Sequence, residues 1–142
     1  SSLFGKAGSK GKGGNFIETI LNKAKSEKKL QVVNDIHISP TYTIDASMII
    51  LELINRNTRG LVNVANSTSP DCTWYSLAKK TFELCNLNVQ IDAISSNDYH
   101  SIAKRPTYSV LNNEKAQDII GNKIPNWEDA VKRYLTETHH LL

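Results

Sequence analysis

Two polar segments carry the residue types that could bind a charged ligand. They are NDIHISPTYT, residues 34–43, and AKRPTYSVLN, residues 103–112, which contains Arg105. Arginine suits a phosphate because its planar guanidinium donates two parallel, charge-assisted hydrogen bonds. Both segments follow or flank predicted strands, and ligands of α/β proteins bind where strands run out into loops. An equally good interpretation is a surface arginine whose neighbour Pro106 shapes a turn.

A tyrosine and a lysine four positions apart, Tyr75 and Lys79, indicate a second chemistry. On a helix the two side chains lie on one face, and a nearby ammonium favours an ionised phenol, as a proton-donating tyrosine of a carbonyl reductase requires. The same spacing is common in amphipathic helices, and a cap at Thr73 places Tyr75 in the first turn of one. We therefore interpret both as structural or surface residues.

The glycine- and lysine-rich segment at residues 5–15 has the composition of a phosphate-binding loop but not the spacing. A Walker motif requires G-x-x-x-x-G-K-[ST], whereas Gly8 and Gly13 are followed by Gly14 and Asn15. A dinucleotide fingerprint requires a strand, a turn and a helix, with an acidic residue about 20 positions on. The segment does not provide this arrangement, so we interpret it as a solvated loop.

The histidines and cysteines predict neither a metal site nor a disulfide. The four histidines are isolated or adjacent in the C-terminal tail, which produces no zinc-ligand spacing. Cys72 and Cys85 flank a predicted helix, so their Cα atoms should lie roughly 20 Å apart at a rise of about 1.5 Å per residue. A disulfide requires less than about 7 Å. We expect two free thiols, which suits a reducing compartment.

Length and composition predict one globular domain. The 142 residues are enough for one hydrophobic core, and 39% hydrophobic with 22% charged residues is unlike a disordered chain. The net charge of +3 includes three lysines of one loop, so no nucleic-acid partner is expected. No segment approaches the roughly 20 apolar residues of a membrane span, and none reads as a secretion signal. We therefore expect a cytoplasmic protein without a membrane partner.

Strands and helices alternate along the chain, which predicts an α/β fold with a small sheet covered by helices. Helices are predicted where a capping residue precedes apolar residues at helical spacing, which occurs after Asn15, near Thr43, and after Thr73, Asn112 and Asn126. The helix near Thr43 is apolar on nearly all sides, so neighbours should cover it on several faces. The segment SSLFG, residues 1–5, reads as the end of a strand and its exit turn, and further strands or extended runs are predicted at residues 30–35, 61–65, 89–94 and 108–111.

Five segments of the sequence occur together in a known order. They are SSLFG with GKGGNF, LQVVNDIHISPTYTID, GLVNVANSTSPDCTWYSLAKKTFEL, AKRPTYSVLNNEK and IPNWEDAVKRYL. This series resembles the C-terminal half of the dTDP-4-dehydrorhamnose reductases and their sugar-nucleotide relatives, which are extended short-chain dehydrogenases/reductases. The resemblance implies that residues 1–142 form a C-terminal substrate-binding domain, and that an N-terminal Rossmann half is absent from this chain.

The resemblance implies an NAD(P)H-dependent oxidoreductase that reduces a 4-keto sugar carried on a nucleotide, with a dTDP-sugar as the expected substrate. The cofactor and the catalytic tyrosine and lysine would belong mainly to the missing half, so this chain should hold no catalytic residue and should be inactive alone. Arg105 matches an arginine that binds the substrate diphosphate, and we expect it to face residues 39–42 across one crevice. The substrate-binding residues implied are Asn15, Phe16, Ser39, Pro40, Thr41, Tyr42, Arg105 and Ser109.

Three departures from the family pattern leave the sugar and the nucleotide open. Ser2 stands where several of these reductases have tryptophan, His37 where glutamine is frequent, and Tyr108 where asparagine or aspartate is frequent. Two other functions on the same fold also stay open: a regulatory subunit resembling the β subunit of methionine adenosyltransferase, and a nucleotide-sugar epimerase. The choice between NADH and NADPH, a metal requirement and a homodimer are likewise open.

Overall fold

The computed structural model describes residues 1–7, 14–68, 71–99 and 105–141. Within these residues, strands and helices alternate, which confirms the predicted α/β fold. In chain order the elements are β1 (Ser2–Phe4), α1 (Phe16–Ser26), β2 (Lys29–Val33), β3 (His37–Ile38), β4 (Pro40–Tyr42), α2 (Thr43–Asn55), β5 (Cys72–Thr73), α3 (Trp74–Leu84), β6 (Gln90–Ile94), α4 (Glu114–Ile120) and α5 (Trp127–Glu137).

The strands form three two-stranded pairs. Strands β1 and β4 are parallel, with Leu3 opposite Thr41, and β2 is parallel to β6 over five residues. Strand β3 is antiparallel to β5. Residues 107–109 also run along β3, because the His37 N–H donates to the Thr107 carbonyl at 2.7 Å and the Ser109 N–H donates to the His37 carbonyl at 3.0 Å. The segment that follows Arg105 is thereby attached to the strand that leads into β4.

Local capping signals place most of the helices as predicted. The side chains of Asn15, Thr73 and Asn126 each accept a hydrogen bond from a backbone N–H in the first turn of the helix that follows. Helix α4 begins one residue later than predicted, with Asn113 at the N-cap position. The Asn112 side chain still accepts a hydrogen bond from the first backbone N–H of α4, at 2.8 Å.

The main hydrophobic core lies between α1, α3, α5 and the parallel strands. Its aromatic centre is a stack of Phe4 on Tyr42, with ring centroids 5.5 Å apart, and Tyr134 meets Phe4 edge-on at 5.4 Å. The predicted apolar face of α5 is fully buried, at Trp127, Ala130, Val131, Tyr134 and Leu135. A smaller cluster joins α2 to α4 through Ile49, Leu53, Ala116, Ile120 and Ile124.

Two sequence predictions are wrong in the described residues. Residues 61–65 form no strand there, because no neighbouring strand pairs with them, and Leu61 is 85% exposed. Helix α2 is covered on one side only, since α4 reaches only the face that carries Ile49 and Leu53. Most of its other apolar side chains are exposed, including Met48 at 64% and Ile54 at 65%.

Candidate functional site

Arg105 is an exposed cation three residues before Tyr108, whose ring is also exposed. It begins the segment that runs along β3. Within the residues that the structure describes, its guanidinium has neither an ion pair nor a hydrogen bond. Three positions on, the Tyr108 ring lies 5.6 Å from the His37 ring, and Tyr108 is 60% exposed. The segment therefore presents an anion-binding group and, three residues later, an aromatic surface.

The segment at residues 39–42 lies in the interior. The Ser39 hydroxyl accepts a hydrogen bond from the Leu111 N–H at 2.9 Å, and the Thr41 hydroxyl donates to the Ser39 carbonyl at 3.2 Å. These bonds join the segment to the chain that follows Arg105, but the side chains are turned inward. The structure thus differs here from the expected open crevice, because the buried residues are Ser39, Pro40, Thr41 and Tyr42.

Ser109 attaches residues 105–109, here called the Arg105 segment, to β3 by hydrogen bonds. Its hydroxyl donates to the His37 carbonyl at 2.9 Å, and its own N–H donates to the same carbonyl at 3.0 Å. Two donors on one carbonyl hold the backbone of this segment in register with the strand. The position of Arg105 relative to β3 therefore depends on Ser109.

Asn15 and Phe16 lie at the start of α1, where both already have protein partners. The Asn15 side chain caps the helix and donates to the Tyr134 hydroxyl at 2.9 Å, while that hydroxyl donates to the Glu18 carboxylate at 2.6 Å. The Phe16 ring packs against Trp74 with centroids 4.6 Å apart. These contacts give both residues a structural role. That either residue also contacts a substrate stays a prediction.

An open hollow of about 370 Å³ lies beside Asn15 and is distinct from the Arg105 segment. Two carboxylates, Glu18 and Glu137, face it, and the His140 imidazole lies 3.1 Å from Glu18. The carboxylates of Glu18 and Glu137 disfavour a diphosphate in this hollow, and Lys6 is the one lysine among its described lining residues. The lining residues are Gly5, Lys6, Gly14, Asn15, Glu18, Tyr134, Glu137, Thr138, His139 and His140.

The phenol groups of Tyr42 and Tyr134 are buried, and each donates a hydrogen bond to a carboxylate that lines this hollow. Burial, together with a hydrogen bond to the Glu137 carboxylate, raises the pKa of Tyr42 to about 12. Burial and the hydrogen bond to Glu18 raise the pKa of Tyr134 as well. Both hydroxyls therefore keep their protons at neutral pH, and Tyr42 ties β4 to α5.

The backbone of Tyr42 is hydrogen-bonded to a buried polar network that the sequence analysis missed. Asp45 is 5% exposed and receives two hydrogen bonds from Arg133, at 2.8 and 2.7 Å. Asn66 donates to Asp45 at 2.6 Å, to the Pro125 carbonyl at 3.1 Å, and accepts from the Tyr42 N–H at 2.8 Å. The available signal was Asp45, an acidic residue in the first turn of a largely apolar helix.

The remaining candidates from the sequence show structural contacts. Tyr75 packs against the main core and Lys79 is exposed. Cys72 and Cys85 are free thiols, as predicted, and burial raises the pKa of the Cys72 thiol to about 12. Most of the glycine-rich loop, residues 8–13, and His100 lie outside the described residues.

The described residues contain neither a metal-ligand cluster nor a membrane-spanning helix. Among residues 1–7, 14–68, 71–99 and 105–141, no group of three or more histidine, cysteine, aspartate or glutamate side chains is placed to hold a metal ion. None of the helices in this part of the chain has the length and apolar character needed to cross a bilayer.

Comparison with known proteins gives one consistent family. The family described as RmlD substrate binding domain matches residues 1–140. The dTDP-4-dehydrorhamnose reductase of Escherichia coli K12 is 35% identical over 140 residues, covering 89% of this chain and 46% of that protein. The spore coat polysaccharide biosynthesis protein SpsK of Bacillus subtilis is 34% identical over 125 residues, covering 88% of this chain and 43% of that protein.

Solved structures show the same similarity. The dTDP-4-dehydrorhamnose reductase of Bacillus anthracis, in complex with NADP, superposes with a TM-score of 0.83 at 32% identity, covering 97% of this chain and 46% of that one. The corresponding protein of Clostridium acetobutylicum superposes with a TM-score of 0.85 at 27% identity, covering 98% and 47%. The chain therefore spans less than half the length of these relatives.

Proposed function

The chain belongs to the RmlD substrate binding domain family, and on this premise we propose that it is the nucleotide-sugar-binding half of an NAD(P)H-dependent reductase. The substrate is a 4-keto sugar carried on dTDP, and the whole enzyme works in the cytoplasm in nucleotide-sugar or polysaccharide biosynthesis. The E. coli K12 and B. subtilis relatives support this assignment by their names and by identities of 35% and 34%.

Arg105 is the residue that carries the proposal. It is exposed, and the described residues provide no carboxylate to pair with it. A free guanidinium can bind the two phosphates of a nucleotide diphosphate through parallel charged hydrogen bonds. The hydrogen bonds of Ser109 and Thr107 to His37 hold the backbone beside it, so the cation is presented at a defined place on the surface.

Tyr108, three residues after Arg105, forms an aromatic pair with His37 that suits the base of the same ligand. Tyr108 is exposed, and its ring is supported from behind by His37 at 5.6 Å. A nucleobase stacks on such a ring with little dependence on its identity. We assign the diphosphate to Arg105 and the base to Tyr108. Stacking on Tyr108 accepts the thymine of dTDP and does not exclude another base.

The described residues of this chain do not form a suitable main binding site for the nicotinamide cofactor. The hollow beside Asn15 presents the carboxylates of Glu18 and Glu137, which repel a pyrophosphate. The glycine-rich loop lacks the spacing of a dinucleotide fingerprint. We therefore assign NAD(P)H mainly to the part of the enzyme outside this chain. The B. anthracis relative, which is in complex with NADP, supports a nicotinamide cofactor.

Calorimetric titration of the full-length protein with dTDP and with thymidine tests the role of Arg105. Arg105→Ala should weaken dTDP binding by about 1.5–3 kcal/mol, the scale of a charged hydrogen bond, or roughly 10- to 150-fold. Binding of thymidine, which lacks the diphosphate, should change little. Arg59→Ala removes the same charge from another exposed position and serves as the control. Equal dTDP affinity in both variants would exclude the assignment.

Cofactor consumption separates the reductase from its two alternatives. A reductase oxidises one NAD(P)H for each keto sugar reduced, which the nicotinamide absorbance follows directly. An epimerase converts its sugar without net consumption, and a regulatory subunit binds the nucleotide-sugar without turnover. Binding of dTDP without NAD(P)H oxidation by the full-length protein would therefore retain the Arg105 site and reject the reductase.

A further inference from the structure

The His37 side chain has two close neighbours, the Tyr108 ring and the Asp71 carboxylate. Its ring centroid is 5.6 Å from that of Tyr108, and its Nδ1 atom is 3.5 Å from a carboxylate oxygen of Asp71. That separation is too long for a well-formed hydrogen bond, but opposite charges still attract each other across it. His37 therefore connects the aromatic ring of the proposed nucleotide site to an acidic side chain.

The Nδ1 atom of His37 is itself buried, and within the described residues it makes no hydrogen bond. In the same residues the Asp71 carboxylate has no ion-pair partner other than His37. Buried polar atoms are normally paired. A neutral imidazole can present an N–H or a lone pair at Nδ1, whereas a protonated one presents an N–H that carries positive charge. Protonation of His37 thus gives both groups a partner.

Imidazole is the side chain that changes its charge between about pH 5 and 8. The other charged or titratable side chains on or next to β3, β5 and the Arg105 segment are Asp35, Asp71, Cys72, Arg105 and Tyr108. Carboxylates and guanidinium stay ionised in this interval, and phenol and thiol stay protonated. Burial also raises the pKa of the Cys72 thiol to about 12. A change of charge at this place therefore comes from His37.

We propose that protonation of His37 regulates nucleotide binding at the Arg105 segment by neutralising Asp71. While the imidazole is neutral, the Asp71 carboxylate repels the diphosphate that Arg105 binds. Once protonated, the imidazole cancels that charge and places a cation against the Tyr108 ring, which cation–π attraction then holds. The inference rests on the proposed function of the Arg105 segment, and it makes His37 a positioning residue.

The backbone and the side chain of His37 have separate roles. Its N–H donates to the carbonyl of residue 107 at 2.7 Å, and its carbonyl accepts two hydrogen bonds from residue 109, at 3.0 and 2.9 Å. Glutamine at position 37 can form the same backbone bonds, but it cannot take up a proton. His37→Gln therefore keeps the Arg105 segment attached to β3 and isolates the effect of the imidazole charge.

Calorimetric titration of the full-length protein with dTDP-glucose at about pH 5.5 and about pH 8 tests the proposal. Both phosphates of this ligand are esterified, so its own charge stays constant. The wild type should bind roughly 10-fold more tightly at the lower pH, the effect of one charge across a few ångström of hydrated protein. His37→Gln should bind equally at both pH values. Asp71→Asn should bind more tightly than the wild type at about pH 8, because the repelling carboxylate is gone.

His140→Gln is the matched control. His140 also lies beside a carboxylate, 3.1 Å from Glu18, but in the separate hollow, so this variant should keep the wild-type pH dependence. A second measurement needs no variant. Nuclear magnetic resonance should show the His37 imidazole protonated up to a higher pH in the protein saturated with dTDP-glucose than in the free protein, because binding and protonation favour each other.

The outcomes separate this inference from the proposed function. The same pH dependence in the wild type and in His37→Gln would overturn the inference and leave the Arg105 site intact. Weaker binding of His37→Gln by one constant factor at both pH values would also overturn it, since a purely structural support acts at every pH. Absence of dTDP-glucose binding at both pH values would overturn the proposed function together with the inference.

Discussion

Replacement of Asn66 by alanine should be among the most destabilising single changes in this chain. Asn66 is fully buried, and its side chain makes three hydrogen bonds, to the Tyr42 N–H, the Asp45 carboxylate and the Pro125 carbonyl. Alanine leaves the buried Tyr42 N–H without its partner, whereas Asp45 keeps its two hydrogen bonds from Arg133 and the Pro125 carbonyl keeps the Ser67 N–H. One buried donor left unpaired costs about 1–3 kcal/mol and each of the two other lost hydrogen bonds about 0.5–1.5 kcal/mol, so with partial relaxation the loss should be about 2–5 kcal/mol.

Urea denaturation measures this loss directly. Asn66→Ala should lower the transition midpoint at an unchanged slope, since the surface exposed on unfolding stays the same. Asn63→Ala is the matched control, because Asn63 is exposed and makes one hydrogen bond, to the Asn112 carbonyl at 3.0 Å. Its cost should be about 0.5 kcal/mol or less. Equal costs for the two variants would refute the reasoning that Asn66 is the centre of a buried network.

Two further outcomes follow from the raised pKa values. Toward a chromogenic disulfide at about pH 8, the half-buried Cys85 should react before the buried Cys72, and Cys85→Ser should leave only the slow reaction; two equally fast thiols in the folded protein would contradict the burial of Cys72. The pKa of Tyr42 is raised from 10.0 to about 12, so the folded state holds this proton more tightly than the unfolded state. Its contribution to stability is complete below pH 10 and is lost as pH rises toward about 12. The free energy of unfolding, measured across that interval, should therefore fall more steeply in the wild type than in Tyr42→Phe, and parallel curves would contradict the assignment.

Features encoded locally were predicted well from the sequence. The capping residues Asn15, Thr73 and Asn126 act within three residues of their partners, so their pattern is visible without a fold. The buried face of α5 follows from helical periodicity for the same reason. The order of five segments identified the family, which the match over residues 1–140 confirms.

Features that depend on distant parts of the chain were not predicted. Asp45 and Arg133 are separated by 88 positions, and Asn66 joins them from a third segment. The interior position of residues 39–42 arises because β1 and Leu111 cover them. Polar residue types alone suggested a cleft there, since a polar side chain that is satisfied by backbone partners has the same sequence pattern as one that faces a ligand.

The exposed side of α2 is the most informative disagreement between pattern and structure. A helix that is apolar on nearly all sides is expected to be buried, yet in this chain only the face toward α4 is covered. Helical periodicity shows that a face is apolar, but it does not show which side a neighbouring element will cover. Asp45 lies on the covered face of α2, and its partner Asn66 accepts a hydrogen bond from the Tyr42 N–H, so this face of α2 is joined to β4 through a buried polar network.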